Sequence, residues 1–412
     1  MSKYLKSYFT DTEKLKIFID SENSPYGALA IYIPRAGNLT IVSENYFSST
    51  MKNDFFDYYL SVFGKPKIKF LKKVQLNPID GALVMTHQYT PIAAKLAKKF
   101  LGSNIEDVYD KLENKYQFQK IVLSVLGPNY STNPEFIPAK EKIDTLYGIA
   151  GHLFEKKGCV LKIPQGYNLG NGVEFITSRH EINHFLKRVN GVNDARLTKD
   201  IMIEKYFDHD FSPSISFFAS PEAVTPLTIN YQILNAGKFI AATNIIPKRY
   251  EGFTYNLLKR GMKLASCIHK IGGRGLFGID IVLNSATGKE KYVECNYRGT
   301  GTTNPELTYQ KATNFTYGIG SGNWVFIPYI KFDPFSSPDL SAAIENLRRQ
   351  KLLFEGAKTD INTPKAVILH GMISDGYFLS YFWNRGNIPS SEAFTLINKS
   401  LQQLGCNKKL PI

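Results

Sequence analysis

Residues 278–299, GIDIVLNSATGKEKYVECNYRG, decide how the rest of the chain is read. Ile279, Ile281 and Leu283 alternate with Asp280 and Val282, and Val293, Cys295 and Tyr297 alternate with Glu294 and Asn296, the period of two half-buried strands. The intervening NSATGKE is turn-forming. A loop symmetric about Thr287 sets position 280 directly opposite 294, with Cβ atoms about 4.5 to 5.5 Å apart. Two carboxylates so placed repel. A hard divalent cation between them reverses the sign: magnesium takes one or two carboxylates and fills its shell with water and substrate phosphates. Asn296 shares the face of Glu294 and adds a carbonyl oxygen. A solvated acidic face would show the same pattern, so the upstream sequence has to decide.

Upstream, CVLKIPQGYNLGNGV (159–173) reads as a short strand carrying Lys162, then a loop with glycines at 166, 170 and 172, then a helix from about 178. Backbone N–H groups of such a loop can approach phosphate oxygens, with the lysine as a point charge beside them, although a plain surface turn looks alike. Lys115 opens a predicted helix, NKYQFQKIVLSVLG, ending at Gly127. DIMIEKYF (200–207) is an apolar strand broken by Glu204 and followed by Asp208, His209 and Asp210. A flat base could lie along it, with backbone groups at its edge and a carboxylate near the ribose. Two further strands then lead to the basic pair Lys248 and Arg249.

The 412 residues suit two or three domains, and 43% hydrophobic with 21% charged residues is ordinary globular composition. Near the start, strands at 27–42 and 81–89 alternate with helices at 51–64 and 90–102, as in a doubly wound sheet. Residues 128–140, rich in Pro, Asn and Ser, read as a loop. Toward the end come a helix near 341–353, an apolar segment at 365–383 and a last helix, the FLSYFW run at 378–383 reading as core or a dimer face. Cysteines 159, 267, 295 and 406 are too scattered for a disulfide framework or a zinc knuckle, so reduced thiols are expected. No run of eighteen apolar residues and no signal peptide is seen, which points to the cytoplasm and away from a membrane. The net charge of +14 favours an anionic partner class. KPKIKFLKK (65–73) reads as an edge strand guarded by lysines, and no specific nucleic-acid signature accompanies it.

Taken in order, Asn114-Lys115, Val160-Leu161-Lys162 before the glycine loop, Ile203-Glu204-Lys205-Tyr206, Gly278-Ile279-Asp280 and Glu294-x-Asn296-x-Arg298 resemble the ATP-grasp superfamily over about half of the chain. The resemblance implies an α/β (α+β) architecture: a doubly wound N-terminal domain over 1–105, an ATP-grasp module over 106–330 with a lid at about 145–205, and a C-terminal α/β segment over 331–412. It implies an ATP-dependent ligase that joins a small-molecule carboxylate to an amine, an amino acid or peptide, through an acyl phosphate. By position, Lys115 and Lys162 would contact ATP, Gly170 and Gly172 would belong to the lid loop, and Glu204, Tyr206 and Asp210 would meet the nucleoside. Asp280, Glu294 and Asn296 would hold one or two magnesium ions, with manganese as a substitute, and Arg298 would stabilise the transferred phosphoryl group. Gly278 stands where the D-alanine ligase branch has an arginine, so Arg274, Arg249 and Lys248 are the remaining cations for a substrate carboxylate. The layout is most similar to the pheganomycin-type peptide ligases.

Two rivals stand beside this reading. His180-Glu181-x-x-His184 matches HExxH, in which two histidines one helical turn apart bind zinc and the glutamate acts as base, with Glu204 at a third-ligand distance. The other rival keeps the fold for nucleotide binding without catalysis. His87, His152, His209, His269 and His370 are read as structural or solvated.

Overall fold

The computed structural model describes residues 105–412 except 155–156, 166–171, 191–195, 236–237, 301, 313–321, 331–339, 357–358, 370–376, 407–408 and 411–412, and four strands among the first 104. Those strands, β1 (Lys16–Ile19), β2 (Leu39–Val42), β3 (Lys67–Phe70) and β4 (Leu83–Thr86), form a parallel sheet in the order β3-β2-β1-β4. Parallel neighbours need crossover connections, and an order that grows outward from β1 on both sides is doubly wound. β3, with Lys67 and Lys69, lies at one edge of this sheet. The helices expected at 51–64 and 90–102 fall outside the described residues.

Helices α1 (Ile105–Glu113) and α2 (Lys115–Leu126) follow. Asn114 caps α2: its Oδ1 accepts from the Gln117 N–H at 3.1 Å. Next come β5 (Glu135–Ile137), α3 (Ile143–Phe154), β6 (Cys159–Lys162), β7 (Val173–Ile176), α4 (Arg179–Asn190) and β8 (Ile201–Lys205). The four strands make an antiparallel sheet in the order β5-β8-β6-β7. The loop read at 128–140 therefore contains a strand, because Ile137 is buried beside Ile201 of β8 and Phe136 stacks on Tyr116 with ring centroids 4.6 Å apart. Leu146 and Ala150 of α3 and Ile182 and Phe185 of α4 cover Cys159, Leu161, Ile176 and Ile201 on one face of this sheet.

The remaining elements are β9 (Pro213–Ala219), β10 (Val224–Asn235), β11 (Lys238–Thr243), α5 (Lys248–Lys270), β12 (Gly275–Asn284), β13 (Lys289–Asn296), α6 (Thr303–Ala312), β14 (Gly322–Ile330), α7 (Leu340–Arg349), β15 (Lys365–Leu369), β16 (Tyr377–Asn384) and α8 (Ser390–Gln403). Their strands form one antiparallel sheet, β13-β12-β9-β10-β11-β14-β16-β15. One half packs Ile215, Phe217, Phe277, Ile279 and Cys295 against Phe118 and Val122 of α2 and Leu257, Leu264 and Ile268 of α5. Gly261 permits that approach, since a Cβ there would sit 2.7 Å from Ile215 Cδ1. The other half buries Leu379, Tyr381, Phe382 and Trp383, so the FLSYFW run is core, and the C-terminal hairpin continues the same sheet. No helix among the described residues is long and apolar enough to cross a membrane.

Candidate functional site

The hairpin β12–β13 carries a register break where the chemistry gathers. From Asn284↔Lys289 to Ile281↔Tyr292 the pairing centres between Ala286 and Thr287, just short of the centre that a symmetric loop assumes. Val293 is then an extra residue, and beyond it Asp280 pairs with Glu294, Ile279 with Cys295 and Gly278 with Asn296. A one-residue bulge sends every following side chain to the opposite face. Burial follows the break: Glu290 and Tyr292 point inward before it, and Cys295 and Tyr297 after it. Glu294 and Asn296 thereby emerge on the face of Asp280.

The bulge has a dedicated partner. Gln119 of α2, 2% exposed, donates from Nε2 to the carbonyls of Tyr292 (2.6 Å) and Val293 (3.1 Å). Its Oε1 accepts from Ser131 Oγ and the Thr132 N–H, both at 2.9 Å. Lys291 Nζ donates to the Ser131 carbonyl at 2.7 Å, so the segment before β5 is tied to the same point.

Around the acids, Asn296 Nδ2 donates to Asp280 Oδ2 at 2.9 Å, leaving its carbonyl oxygen available. Lys115 Nζ lies 3.0 Å from Glu294 Oε2. Burial, and then the neighbouring Glu294, push the Asp280 carboxyl well above the usual range. On Glu294 burial also acts upward, but Lys115 and Lys162 outweigh it and hold the carboxyl low. Lys162 Nζ sits 2.6 Å from Glu204 Oε2, both groups nearly inaccessible, and Thr132 Oγ1 donates to Glu204 Oε1 at 2.7 Å. The backbone N–H of Lys115 donates to the Pro164 carbonyl at 2.9 Å, joining the two lysines through the chain. Arg298 Nη1 donates to both oxygens of Glu113 at 2.6 Å. Each of these cations is thus held by a carboxylate.

The other candidates divide. Tyr206 packs on Phe175 with centroids 4.5 Å apart, and its N–H donates to the Gly158 carbonyl at 3.3 Å. The Gly172 carbonyl accepts from the Ile163 N–H at 2.8 Å, and Gly170 lies outside the described residues. Asp210 sits at the hairpin tip, accepting from the Ser285 N–H at 2.8 Å, from the Ser285 hydroxyl and from Tyr250 Oη. Lys248 and Arg249 open α5 beside it, the Arg249 guanidinium 4.6 Å over the Tyr250 ring. These three therefore gather about 17 Å of strand away from Asp280. Arg274 faces the other way, donating from Nη1 to the carbonyls of His269 (2.8 Å) and Gly273 (2.7 Å) at the end of α5. Of the four cations considered for catalysis, Arg298 alone adjoins the acidic pair.

The HExxH residues have a different use. Ser178 and Glu181 form a capping box at the start of α4, with Glu181 Oε2 accepting from the N–H groups of Thr177 (2.6 Å) and Ser178 (3.0 Å). These bonds hold the Glu181 carboxyl low. His180 and His184 are exposed, His184 Nδ1 lying 3.5 Å from Glu174, while Glu204 is buried against Lys162. Among the described residues no three His, Cys, Asp or Glu side chains gather as metal ligands. Two carboxylates and an amide oxygen suit magnesium, and they do not make a three-ligand zinc site. Sequence reasoning missed Gln119, Thr132 and Glu113; the one local signal was a glutamine between Phe118 and Val122 on the apolar side of α2.

The arrangement of helices and sheets is the ATP-grasp fold. The solved carboxyaminoimidazole ribonucleotide synthase from Aspergillus clavatus, complexed with ATP, superposes with TM-score 0.58 at 10% identity over 96% of this chain and 99% of that one. An L-amino acid ligase from Bacillus licheniformis gives TM-score 0.57 at 13% identity over 93% of this chain and 97% of that one. In sequence, the chain is similar to the butirosin acyl-carrier protein L-glutamate ligase of Niallia circulans, 25% identical over 145 residues. That match spans 35% of this chain and about a third of the relative's length, 34%. No family model matches the sequence.

Proposed function

We propose that the chain is an ATP-dependent carboxylate–amine ligase forming an amide or peptide bond through an acyl phosphate. The observation that carries this reading is the Asp280–Glu294 pair, set side by side by the Val293 bulge and flanked by Lys115 and Lys162. Like charges held together in a half-buried place are relieved by a cation, and the donors present are hard oxygens. Asp280, Glu294 and Asn296 would hold magnesium, which when bound neutralises the pair and the phosphates it meets. ATP would lie between the small sheet and the large one, its base along the backbone after Glu204 near Tyr206 and its phosphates against Lys115, Lys162 and the 166–172 loop. Residues 106–330 would be the catalytic module, with about 145–205 as the lid.

In the first step an oxygen of the substrate carboxylate attacks the γ-phosphorus, and the bond to the β–γ bridging oxygen breaks, so ADP leaves with the electron pair. The amine nitrogen then attacks the acyl carbon, phosphate departs and the amine loses a proton. Negative charge spreads over the transferring oxygens in both steps. Lys162 and Arg298, already fixed by Glu204 and Glu113, are preorganised to offset it. The names of two similar proteins, an L-amino acid ligase and an L-glutamate ligase, support this class of substrate.

The test is phosphate release from ATP across pairs of amino acids and peptides. Turnover should require magnesium, stop on chelation and fall by about 10²–10³-fold in Lys162→Ala. Tight ATP binding with no turnover across the panel would favour a nucleotide-binding protein, and stoichiometric zinc without ATP binding would sink the ligase.

A further inference from the structure

The row that contains the acidic pair continues across the large sheet. Glu294 of β13 faces Asp280 of β12, Asp280 faces Ser214 of β9, and Ser214 faces Asn230 of β10. The next row on the same face runs Asn296, Gly278, Ser216, Thr228. Residues directly opposite in antiparallel strands share a face. These eight positions thus form a polar patch, while Ile215, Phe217, Ile229 and Ile279 carry the opposite face into the core under α2 and α5.

The patch is enclosed and incompletely bonded. Ser214 and Thr228 are nearly inaccessible, Ser216 and Asn230 fully so. The Ser214 hydroxyl hydrogen-bonds the Asp280 carboxyl. Yet Asn230 Nδ2, Asn230 Oδ1 and Ser216 Oγ have no hydrogen-bond partner among the described residues. Each such atom disfavours the folded state, since it gives up water without gaining a partner. An orphaned amide two strands from the reacting centre calls for a ligand group. No cation reaches it from Gly278, where an added Cβ would already meet Thr300 Cγ2 at 3.2 Å and Ser214 Oγ at 3.7 Å.

Resting on the ligase reading, we infer that Asn230 and Ser216 bind the far end of the acid substrate, and that this end is neutral and both donates and accepts hydrogen bonds. A carboxylate there would satisfy Nδ2 and leave Oδ1 facing negative charge; an ammonium would do the reverse. A primary amide or a hydroxyl satisfies both atoms. Two strand spacings, about 10 Å between Asp280 and Asn230 backbones, suit an acid of amino-acid size.

The experiment uses hydroxylamine as a general acceptor that traps the acyl phosphate as a hydroxamate. The acids are glutamine, asparagine and homoserine against glutamate, aspartate, leucine and norvaline, with magnesium and ATP. The unmodified protein should prefer the amide and hydroxyl acids by about tenfold or more over the apolar ones in kcat/KM. Asn230→Leu should erase that preference through KM for the acid while KM for ATP stays within about twofold, and Ser216→Ala should act in the same direction less strongly. Without ligand, Asn230→Leu should keep or raise Tm, because it removes orphaned polar atoms. Preference for charged or apolar acids, a preference that survives Asn230→Leu, or a lowered ligand-free Tm overturns the subsite. Hydroxamate formation from no acid by the unmodified protein overturns the ligase reading itself, and with ligase activity present the variants test the subsite alone.

Discussion

Glu290 and Glu294 lie on one strand and each pairs with a cation, yet Glu290 is buried and Glu294 only half-buried, and their surroundings differ. Glu290, 3% exposed, receives Arg260 Nε at 2.6 Å, Arg260 Nη2 at 3.2 Å and Tyr292 Oη at 2.9 Å. Its neighbours are donors and opposite charge, and the Arg260 guanidinium is itself covered by the Tyr130 ring at 4.9 Å. That pair is closed. Glu294 has Lys115 on one side and a like charge, Asp280, on the other. In the proposed site a divalent cation would offset the repulsion between the two carboxylates. Without the extra residue at Val293 the two acids would share a face, so the bulge alone sets Glu290 inward and the proposed metal ligand Glu294 on the opposite face.

Breaking the comparison at the site side gives the largest effect. Glu294→Gln should lower acid-dependent phosphate release by about 10²–10³-fold, with Tm somewhat lowered, because the lost attraction to Lys115 and Lys162, which holds the Glu294 carboxyl low, outweighs the relieved repulsion of Asp280. A variant as active as the parent in a phosphate assay would remove Glu294 from the mechanism. On the closed side, Arg260→Met leaves Glu290 buried and unpaired, so urea unfolding should report a loss of about 3 kcal/mol, while the folded fraction keeps its specific activity. Loss of activity per folded molecule would erase the distinction between the two acids. The smallest expected effect sharpens the cause: Gln119→Leu strands the bulge carbonyls at about 1–3 kcal/mol and should raise the magnesium concentration for half-maximal activity. If that concentration stays put, the bulge is held by the strand pair itself.

The pairing of Asp280 with Glu294 is reachable from the sequence because the alternation of Ile279, Ile281 and Leu283 fixes one strand and a short loop limits the register. The symmetric loop about Thr287 names the right partner for an incomplete reason, since the turn centres short of Thr287 and Val293 makes up the difference. The break is written in the adjacent apolar residues Tyr292 and Val293, where strict alternation fails. Gln119 and Glu113 are not legible, because their partners stand 173 and 185 residues away and no local pattern encodes such distances. Strand β5 hides in a Pro- and Asn-rich segment because it is three residues long and owes its place to β8. Charge likewise says nothing of direction: Arg274 looks like a substrate cation in the sequence and instead closes the end of α5.

The bulge has a second consequence, for association between molecules. β13 is the end strand of the large sheet, and a flat end strand is a template on which another chain can add itself. Here the extra residue kinks the strand, Lys289 and Lys291 place charge along it, and the Tyr292 N–H is already given to the Tyr130 carbonyl at 3.0 Å. The same bulge thus opposes addition of another strand, and a variant that loosens it should aggregate more readily.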